Sequence, residues 1–385
     1  MIDTSCFGFY EYRGQVFLDK TTVLEAAVDN NDLDPHIHFN FNDSIFKSID
    51  WQVEPDISLA DLYRMRAQQL RDSYDHLILM YTGGSDSRQV LHTFLDNNIF
   101  LDQVITIYPE KLTEKIKVSR DIYHPDAFLF EHELTTLPGL KDLHARSPKT
   151  QIQIVDCSNE LMTFYHKDNY WADRRPLSRL GGTFHCTKMN AGIQYVRENT
   201  EKLGKVAVIW GCDKPNVMLH QGMLYGYFVD TGFNGSQVLR PTNVVDFSPV
   251  MFFSAADAPL ITIKQCHVIK SWLEQVPGIY KIFEKWGDNP SAWAAGRELT
   301  KHMIYPSWHH SIFQGDKSGH WKFDDCKNFT DRIDPRIYQS QNSRKKSSGK
   351  KFKQLKAFSA EHNYLLNAAG TKHRVGTVKP PLSRR

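Results

Sequence analysis

Closely spaced cysteines are missing from this sequence. Its six cysteines are scattered over 385 residues, and no two of them form a Cys-x-x-Cys pair. This spacing excludes a zinc ribbon and offers no framework of disulfide bonds, so it favours free thiols in a reducing compartment. We therefore expect a cytoplasmic protein whose cysteines are Cys6, Cys157, Cys186, Cys212, Cys266 and Cys326.

Long apolar runs are also missing. No window approaches the roughly 18 consecutive apolar residues of a transmembrane helix, so we expect no membrane partner. The first residues, MIDTSCFGFYEYRG, include an early acid and no basic region, and so do not predict a secretory signal. A hydrophobic content of 41% is ordinary for a globular chain, and this length predicts two or three domains.

Charge is distributed unevenly along the chain. The net charge is +3, yet residues 344–385 hold twelve Lys and Arg against one acid, so the remainder sums to −8. The run Arg344–Lys356 has seven basic residues and no acid. It predicts a solvated loop, a flap that closes over phosphates, or a segment that docks on nucleic acid.

The stretch HLILMYTGGSDSRQVL, which starts at His76, predicts a phosphate-binding loop. Leu77 to Tyr81 is a short apolar run typical of a buried strand, and apolar residues return at helical spacing after Arg88. Between them lies TGGSDS, in which two glycines let backbone N–H groups approach an anion at a helix N-terminus. The expected phosphate ligands are Thr82, Gly83, Gly84, Ser85, Asp86 and Ser87.

Asp86 is the unusual member of this loop. A carboxylate beside phosphate repels it unless a cation lies between them, so Asp86 predicts a bound Mg²⁺. The loop is not a Walker A sequence, because no Gly-Lys-Ser/Thr follows the glycines. The alternative is an ordinary strand-to-helix turn with a glycine and a polar cap.

The loop resembles the SGGxDS signature of the PP-loop ATP pyrophosphatases, the adenine nucleotide alpha-hydrolase-like superfamily. Thr82 replaces the usual serine and keeps its hydroxyl. The nearest resemblance is to the synthetase domain of asparagine synthetase-like proteins, including stand-alone members carried by large tailed phages. It implies an α/β fold with a parallel, doubly wound sheet, and ATP and Mg²⁺ as cofactors.

The second informative stretch is KVAVIWGCDKPNV, in which Val206 to Trp210 predicts another buried strand. Asp213 follows the carboxyl end of that strand, where it is well placed for Mg²⁺ on pyrophosphate. The turn loosely resembles the GxGxDE turn of asparagine synthetase-type enzymes. Only Gly211 and Asp213 match, and Lys214 replaces the following acid.

The remaining site residues follow from the resemblance. It implies that Ile107 and Tyr108, at the end of the strand predicted from Val104, supply backbone groups to adenine; a purely structural role for Tyr108 is the alternative. Asp86, Ser87 and Asp213 become the expected catalytic residues, with Asp86 and Asp213 as the metal ligands. Two further candidates come from the residues alone. Arg174, Arg175 and Arg179 could clamp a carboxylate or phosphate, although an ordinary surface run of arginines is the default interpretation, and His36 with His38 favours a structural role over metal binding.

The predicted organisation has four segments. Residues 1–57 form an N-terminal extension, 58–255 the PP-loop domain, 256–342 a helical region and 343–385 the basic segment. The implied reaction splits ATP to AMP and pyrophosphate while adenylating a small carboxylate or amide for attack by an amine, ammonia or another nucleophile. A nucleotide-binding protein, or a nucleic-acid-modifying PP-loop protein that docks through the basic tail, is the alternative.

Overall fold

The computed structural model describes residues 8–18, 20–32, 36–114, 132–160, 182–200, 203–211, 214–229, 247–285, 296, 299–308 and 370–379. Its strands, in chain order, are β1 (Phe9–Tyr12), β2 (Gln15–Phe17), β3 (His38–Asn40), β4 (His76–Met80), β5 (Gln103–Tyr108), β6 (Gln151–Asp156), β7 (Val206–Trp210), β8 (Asn216–His220), β9 (Met223–Tyr227), β10 (Phe247–Met251) and β11 (His373–Thr377).

Helices connect these strands. In chain order they are α1 (Lys20–Asp29), α2 (Asp43–Phe46), α3 (Leu59–Ser73), α4 (Ser85–Asp96), α5 (Glu110–Thr113), α6 (Leu137–Arg146), α7 (Gly182–Asn199), α8 (Pro259–Gln275) and α9 (Pro277–Glu284). A π-helical turn, His132–Thr136, leads into α6, and residues 299–304 are also helical.

A five-stranded parallel sheet forms the centre of the fold, with the strand order β10-β7-β4-β5-β6. β7 is buried at every position and β4 at all but its first, which explains why both read as continuous apolar runs in the sequence. The predicted α/β class with a parallel sheet is therefore confirmed. Met80 pairs with Trp210, which pairs with Met251, so three strands end level with one another.

The direction in which strands are added reverses beside β4. The chain runs outward from β4 through β5 to β6, and then returns to the other side of β4 with β7 and β10. The carboxyl ends of β4 and β7 are therefore neighbours, although Met80 and Trp210 are far apart in sequence. In parallel α/β sheets, ligands bind outside the carboxyl ends of strands at such a reversal.

Two small antiparallel sheets lie beside the parallel one. The first, β2-β1-β3, begins with a hairpin of β1 and β2, whose turn residues Arg13 and Gly14 both have positive φ. The second has the order β11-β9-β8, so strands from inside the predicted PP-loop segment pair with a strand from the predicted basic segment. The four segment boundaries remain predictions.

An aromatic cluster joins His373 of β11 to aromatic residues that follow β3 and β9 along the chain. The Trp51 and His373 rings stack at 4.3 Å between centroids, and Phe228 lies 4.6 Å from Phe46. Beside them, the buried Asp43 carboxylate accepts a hydrogen bond from the Thr371 hydroxyl at 2.6 Å.

The same carboxylate contacts two basic side chains. His38 Nε2 lies 3.0 Å and Lys47 Nζ 2.8 Å from Asp43 Oδ2. The structure thus gives His38 a hydrogen-bonding partner within the fold, and its structural role stays a prediction.

The stability of this cluster should depend on pH. Burial lowers the pKa of His373, although the charge of Asp43 opposes this effect. The unfolded chain therefore takes up the proton first as the pH falls, and protonation favours unfolding. We expect the melting temperature to fall as the pH drops from about 7 to about 5, a range that spans the ordinary histidine pKa of about 6.5.

His373→Phe tests the contribution of this histidine, because a phenyl ring preserves the stack on Trp51 and has no proton to gain. Thermal unfolding across that pH range should show a smaller loss of melting temperature than in the wild type. Identical losses in both proteins would assign the pH dependence to other groups, such as the buried His267, whose pKa is also lowered by burial.

Candidate functional site

The loop between β4 and α4 makes a tight turn at its two glycines. Gly83 has φ of +74°, a conformation that side chains disfavour. A Cβ at this position would lie 2.7 Å from Thr135 Oγ1 and from the Thr136 backbone nitrogen. Gly83 is thus required both by its backbone conformation and by the close approach of the π-helical turn.

Hydroxyl groups hold the loop in this shape. Ser87 Oγ accepts the Thr82 N–H at 3.2 Å and donates to the Gly84 carbonyl at 3.3 Å. Thr136 Oγ1 donates to the Thr82 carbonyl at 2.9 Å. The sequence suggests that Thr82 and Ser87 donate to phosphate, but in this structure their hydroxyls contact the loop itself. They preorganise the backbone.

The first turn of α4 opens onto this loop. Arg88 donates its N–H to the Gly84 carbonyl at 2.9 Å, which begins the hydrogen bonding of the helix. The preceding N–H groups of an α-helix have no partner within the helix, and they carry its partial positive charge. The N-cap residue, Gly84, has no side chain to satisfy them. An anion is the natural partner for this end of the helix.

The carboxyl end of β7 lies directly against that turn. A Cβ at Gly211 would be 2.8 Å from the Asp86 carbonyl carbon and 2.8 Å from the Ser87 backbone nitrogen. Only glycine lets the strand end approach the helix backbone this closely. Gly211, predicted from the second strand, is therefore adjacent to the first turn of α4.

Lys214 is the functional candidate that the sequence analysis did not identify. Its Nζ lies 3.2 Å from Asp86 Oδ1, and the lysine side chain is only 6% exposed whereas that of Asp86 is 32% exposed. The signal was present in the sequence, where a lysine stands in place of an acid in the turn after β7. That exchange puts an ammonium group beside the loop carboxylate.

Positive charge around Asp86 determines its protonation. Burial acts to raise the pKa of Asp86, but the charge of Lys214, the Tyr305 hydroxyl and the charge of Lys301 together hold it below the ordinary value. Asp86 is therefore ionised at neutral pH. Two lysines from different parts of the chain offset its negative charge.

Residues 299–308 are held beside α4 by specific hydrogen bonds. Ser307 donates to Gln89 Oε1 through both its N–H, at 3.1 Å, and its hydroxyl, at 2.8 Å. The Tyr63 hydroxyl donates to the Ile304 carbonyl at 2.9 Å. These contacts carry Lys301 to the same end of α4 as Lys214, from a segment more than 200 residues away in sequence.

The ends of β5 and β6 complete this edge of the sheet. The Tyr108 ring stacks on His132 with centroids 3.9 Å apart, and the Tyr108 carbonyl accepts the Cys157 N–H at 3.2 Å. The Ile107 side chain packs where a Cβ at Gly192 of α7 would stand. Ile107 and Tyr108 therefore lie on the predicted edge, and their contact with adenine remains a prediction.

The described residues do not fit a Mg²⁺ ion bound directly at Asp86 Oδ1. An ammonium group already contacts that oxygen, whereas Mg²⁺ requires oxygen ligands at about 2.0–2.1 Å. In the ranges that the structure describes, no group of three or more His, Cys, Asp or Glu side chains is arranged to hold a metal ion. The other expected ligand, Asp213, lies outside the described residues.

Other sequence predictions also fall outside those ranges. They are the thiol of Cys212, the arginines between 174 and 179, and the basic run Arg344–Lys356.

Comparison with known proteins adds no family assignment. No protein-family model matches the chain, and no curated protein matches it. In the part of the chain that the structure describes, no helix is long and apolar enough to cross a membrane.

The close approach of β7 to α4 predicts that a residue larger than glycine at position 211 destabilises the fold. Gly211→Ala places a methyl group 2.8 Å from backbone atoms that cannot rotate away, so the strand end and the helix must separate. We expect a loss of about 1–3 kcal/mol in the free energy of unfolding, the usual range for overpacking. Urea denaturation measures this loss.

Gly278→Ala is the matched control. No described atom lies within 4 Å of a Cβ at Gly278, which is in the first turn of α9. Alanine there should leave stability unchanged or raise it by up to about 1 kcal/mol, because it favours the helix. Equal effects of the two substitutions would contradict the close contact at Gly211.

Proposed function

We propose that the Thr82–Ser87 loop binds the phosphates of ATP and that the protein is an AMP- and pyrophosphate-forming synthetase of the PP-loop type. The observation that carries this proposal is the meeting of four features at one point: a glycine turn, the first turn of α4, and two lysines. Lys214 contacts Asp86 in that turn, and the charge of Lys301 acts on the same carboxylate.

The sheet topology supports the proposal. The strand order β10-β7-β4-β5-β6 has the reversal beside β4 that doubly wound nucleotide-binding sheets have, and the loop follows β4 at that reversal. We therefore infer the doubly wound, adenine nucleotide alpha-hydrolase-like fold for the parallel sheet.

The charges favour a polyanion over a neutral ligand. Asp86 contributes one negative charge, which Lys214 offsets, and Lys301 adds a positive charge nearby. The helix N-terminus contributes about half a positive charge in addition. A nucleoside triphosphate supplies several negative charges to match these groups.

The proposed reaction has two steps. A carboxylate or amide oxygen of a small acceptor attacks the α-phosphorus of ATP, so that a new P–O bond forms and the bond to the bridging α–β oxygen breaks. Pyrophosphate leaves with the electron pair of that bond. An amine, ammonia or another nucleophile then attacks the activated carbon, and AMP departs.

The residues of the loop would act chiefly by position and charge. Negative charge grows on pyrophosphate as it leaves, and backbone N–H groups of α4, together with Lys214 and Lys301, are arranged to stabilise it. Because the Thr82 and Ser87 hydroxyls already hold the loop backbone, little reorganisation is needed when the phosphates bind.

Product analysis tests the reaction class. The protein is incubated with ATP and a metabolite extract, and the nucleotide products are separated by chromatography and mass spectrometry. We expect AMP and pyrophosphate in amounts that depend on the extract, together with an adenylated or AMP-dependent product. Formation of ADP and phosphate would contradict the proposal, and binding without any pyrophosphate release would assign the protein to the nucleotide-binding alternative.

Ser87→Ala tests the preorganisation of the loop. The substitution removes the hydroxyl that accepts the Thr82 N–H and donates to the Gly84 carbonyl. Each of these hydrogen bonds is worth about 0.5–1.5 kcal/mol, so ATP affinity should fall at least roughly two- to twelvefold. Isothermal titration calorimetry measures the change.

Thr150→Ala provides a matched control. Its buried hydroxyl also donates to a backbone carbonyl, that of Leu101 at 2.8 Å, but it precedes β6 at the opposite edge of the sheet. The control should lower thermal stability and leave ATP affinity unchanged. If both variants lost affinity equally, the effect would reflect stability and not the loop.

A further inference from the structure

We infer that Lys214 supplies the cation that phosphate needs beside Asp86, so that this loop binds a nucleoside triphosphate without a divalent metal ion on that carboxylate. The inference rests on the proposed function and goes beyond it by naming the partner of the phosphates. It also departs from the resemblance, which implies Mg²⁺ at Asp86.

The need for a cation comes from the position of Asp86. Its carboxylate belongs to the first turn of α4, where the backbone N–H groups would hold phosphate. The side chain is 32% exposed, so it faces the opening in part. Bare, it would repel any phosphate bound to that turn.

Lys214 meets this need from inside the protein. Its side chain is 6% exposed, so the aliphatic stem is buried and only the head approaches the loop, with Nζ 3.2 Å from Asp86 Oδ1. An ammonium group carries three N–H donors, and a single carboxylate oxygen engages one of them. The group is thus chemically suited to bridge a carboxylate and a phosphate oxygen.

A metal ion and this lysine compete for the same carboxylate oxygen. Mg²⁺ binds oxygen at about 2.0–2.1 Å, and with the ammonium 3.2 Å from Oδ1 two cations would lie within a few ångströms. The buried stem limits how far Lys214 can withdraw. The turn after β7 therefore favours a lysine-bridged phosphate over a metal-bridged one.

Direct binding measurements test the inference on the wild-type protein. ATP is titrated calorimetrically into the full-length chain, once with excess EDTA and once with excess Mg²⁺. We expect the two affinities to agree within about fivefold, since the lysine provides the bridging charge in both. Binding that appears only with Mg²⁺ would overturn the inference and leave the proposed function standing. No binding under either condition would contradict the proposed function itself.

Substitution of Lys214 provides the second test. Lys214→Met retains the length of the apolar stem and removes the charge, so metal-free ATP affinity should fall more than tenfold, the value of a charge-assisted hydrogen bond. Added Mg²⁺ should restore much of this loss, because Asp86 is then open to the metal. Lys214→Arg should keep most of the metal-free affinity.

Lys264→Met is the matched control. Lys264, in helix α8, is also largely buried, with a side chain that is 14% exposed. Its Nζ lies 2.6 Å from Glu54 Oε1. Its loss should leave ATP affinity unchanged with and without Mg²⁺. If Lys214→Met lowered thermal stability but left metal-free affinity intact, the Asp86–Lys214 contact would be a structural ion pair only, and the inference would be wrong.

Discussion

The parallel pairing of β4 with β7 is the constraint on which the site depends. Met80 and Trp210 are level in this pairing, so the turns that follow the two strands must share one small volume. Glycine at position 211 allows the two turns to pack this closely, because it has no Cβ and so leaves room for the backbone of Asp86 and Ser87. Once the backbones are this close, Lys214 has only a short distance to reach the first turn of α4.

Rigidity of the loop follows from contacts on its other side. The π-helical turn places Thr135 and Thr136 against Gly83, and Thr136 donates a hydrogen bond to the Thr82 carbonyl. The loop is thus held between two elements, α6 with its preceding turn and the end of β7. A phosphate cradle made of backbone N–H groups gains most when its shape exists before the ligand arrives, because binding then does not require the chain to become ordered.

The sequence predicts the local features of this site and one of its long-range contacts, the approach of Gly211 to the loop after β4. β4, β5 and β7 were predictable because strands buried on both faces read as short apolar runs, and the loop because glycines interrupt such a run before a helical pattern. Pairing of the β8–β9 hairpin with β11 was not predictable, since it joins residues such as Tyr225 and Arg374 that no local pattern links. The hydrogen bond from Ser307 to Gln89 was not predictable for the same reason.

Asp86 shows how one physical premise can lead to two different partners. An acid in a phosphate cradle requires a cation, and the resemblance supplies Mg²⁺ as that cation. An acid at position 214, as in the GxGxDE turn, would add a negative charge beside Asp86 that a cation would have to neutralise. Lysine at that position changes the local charge by two units, so the Asp86–Lys214 pair is neutral, and Lys301 adds a positive charge that acts on the same carboxylate. If Lys214 bridges Asp86 and phosphate as we infer, this one exchange lets the site carry its own cation, whereas the resemblance implies a site that recruits Mg²⁺.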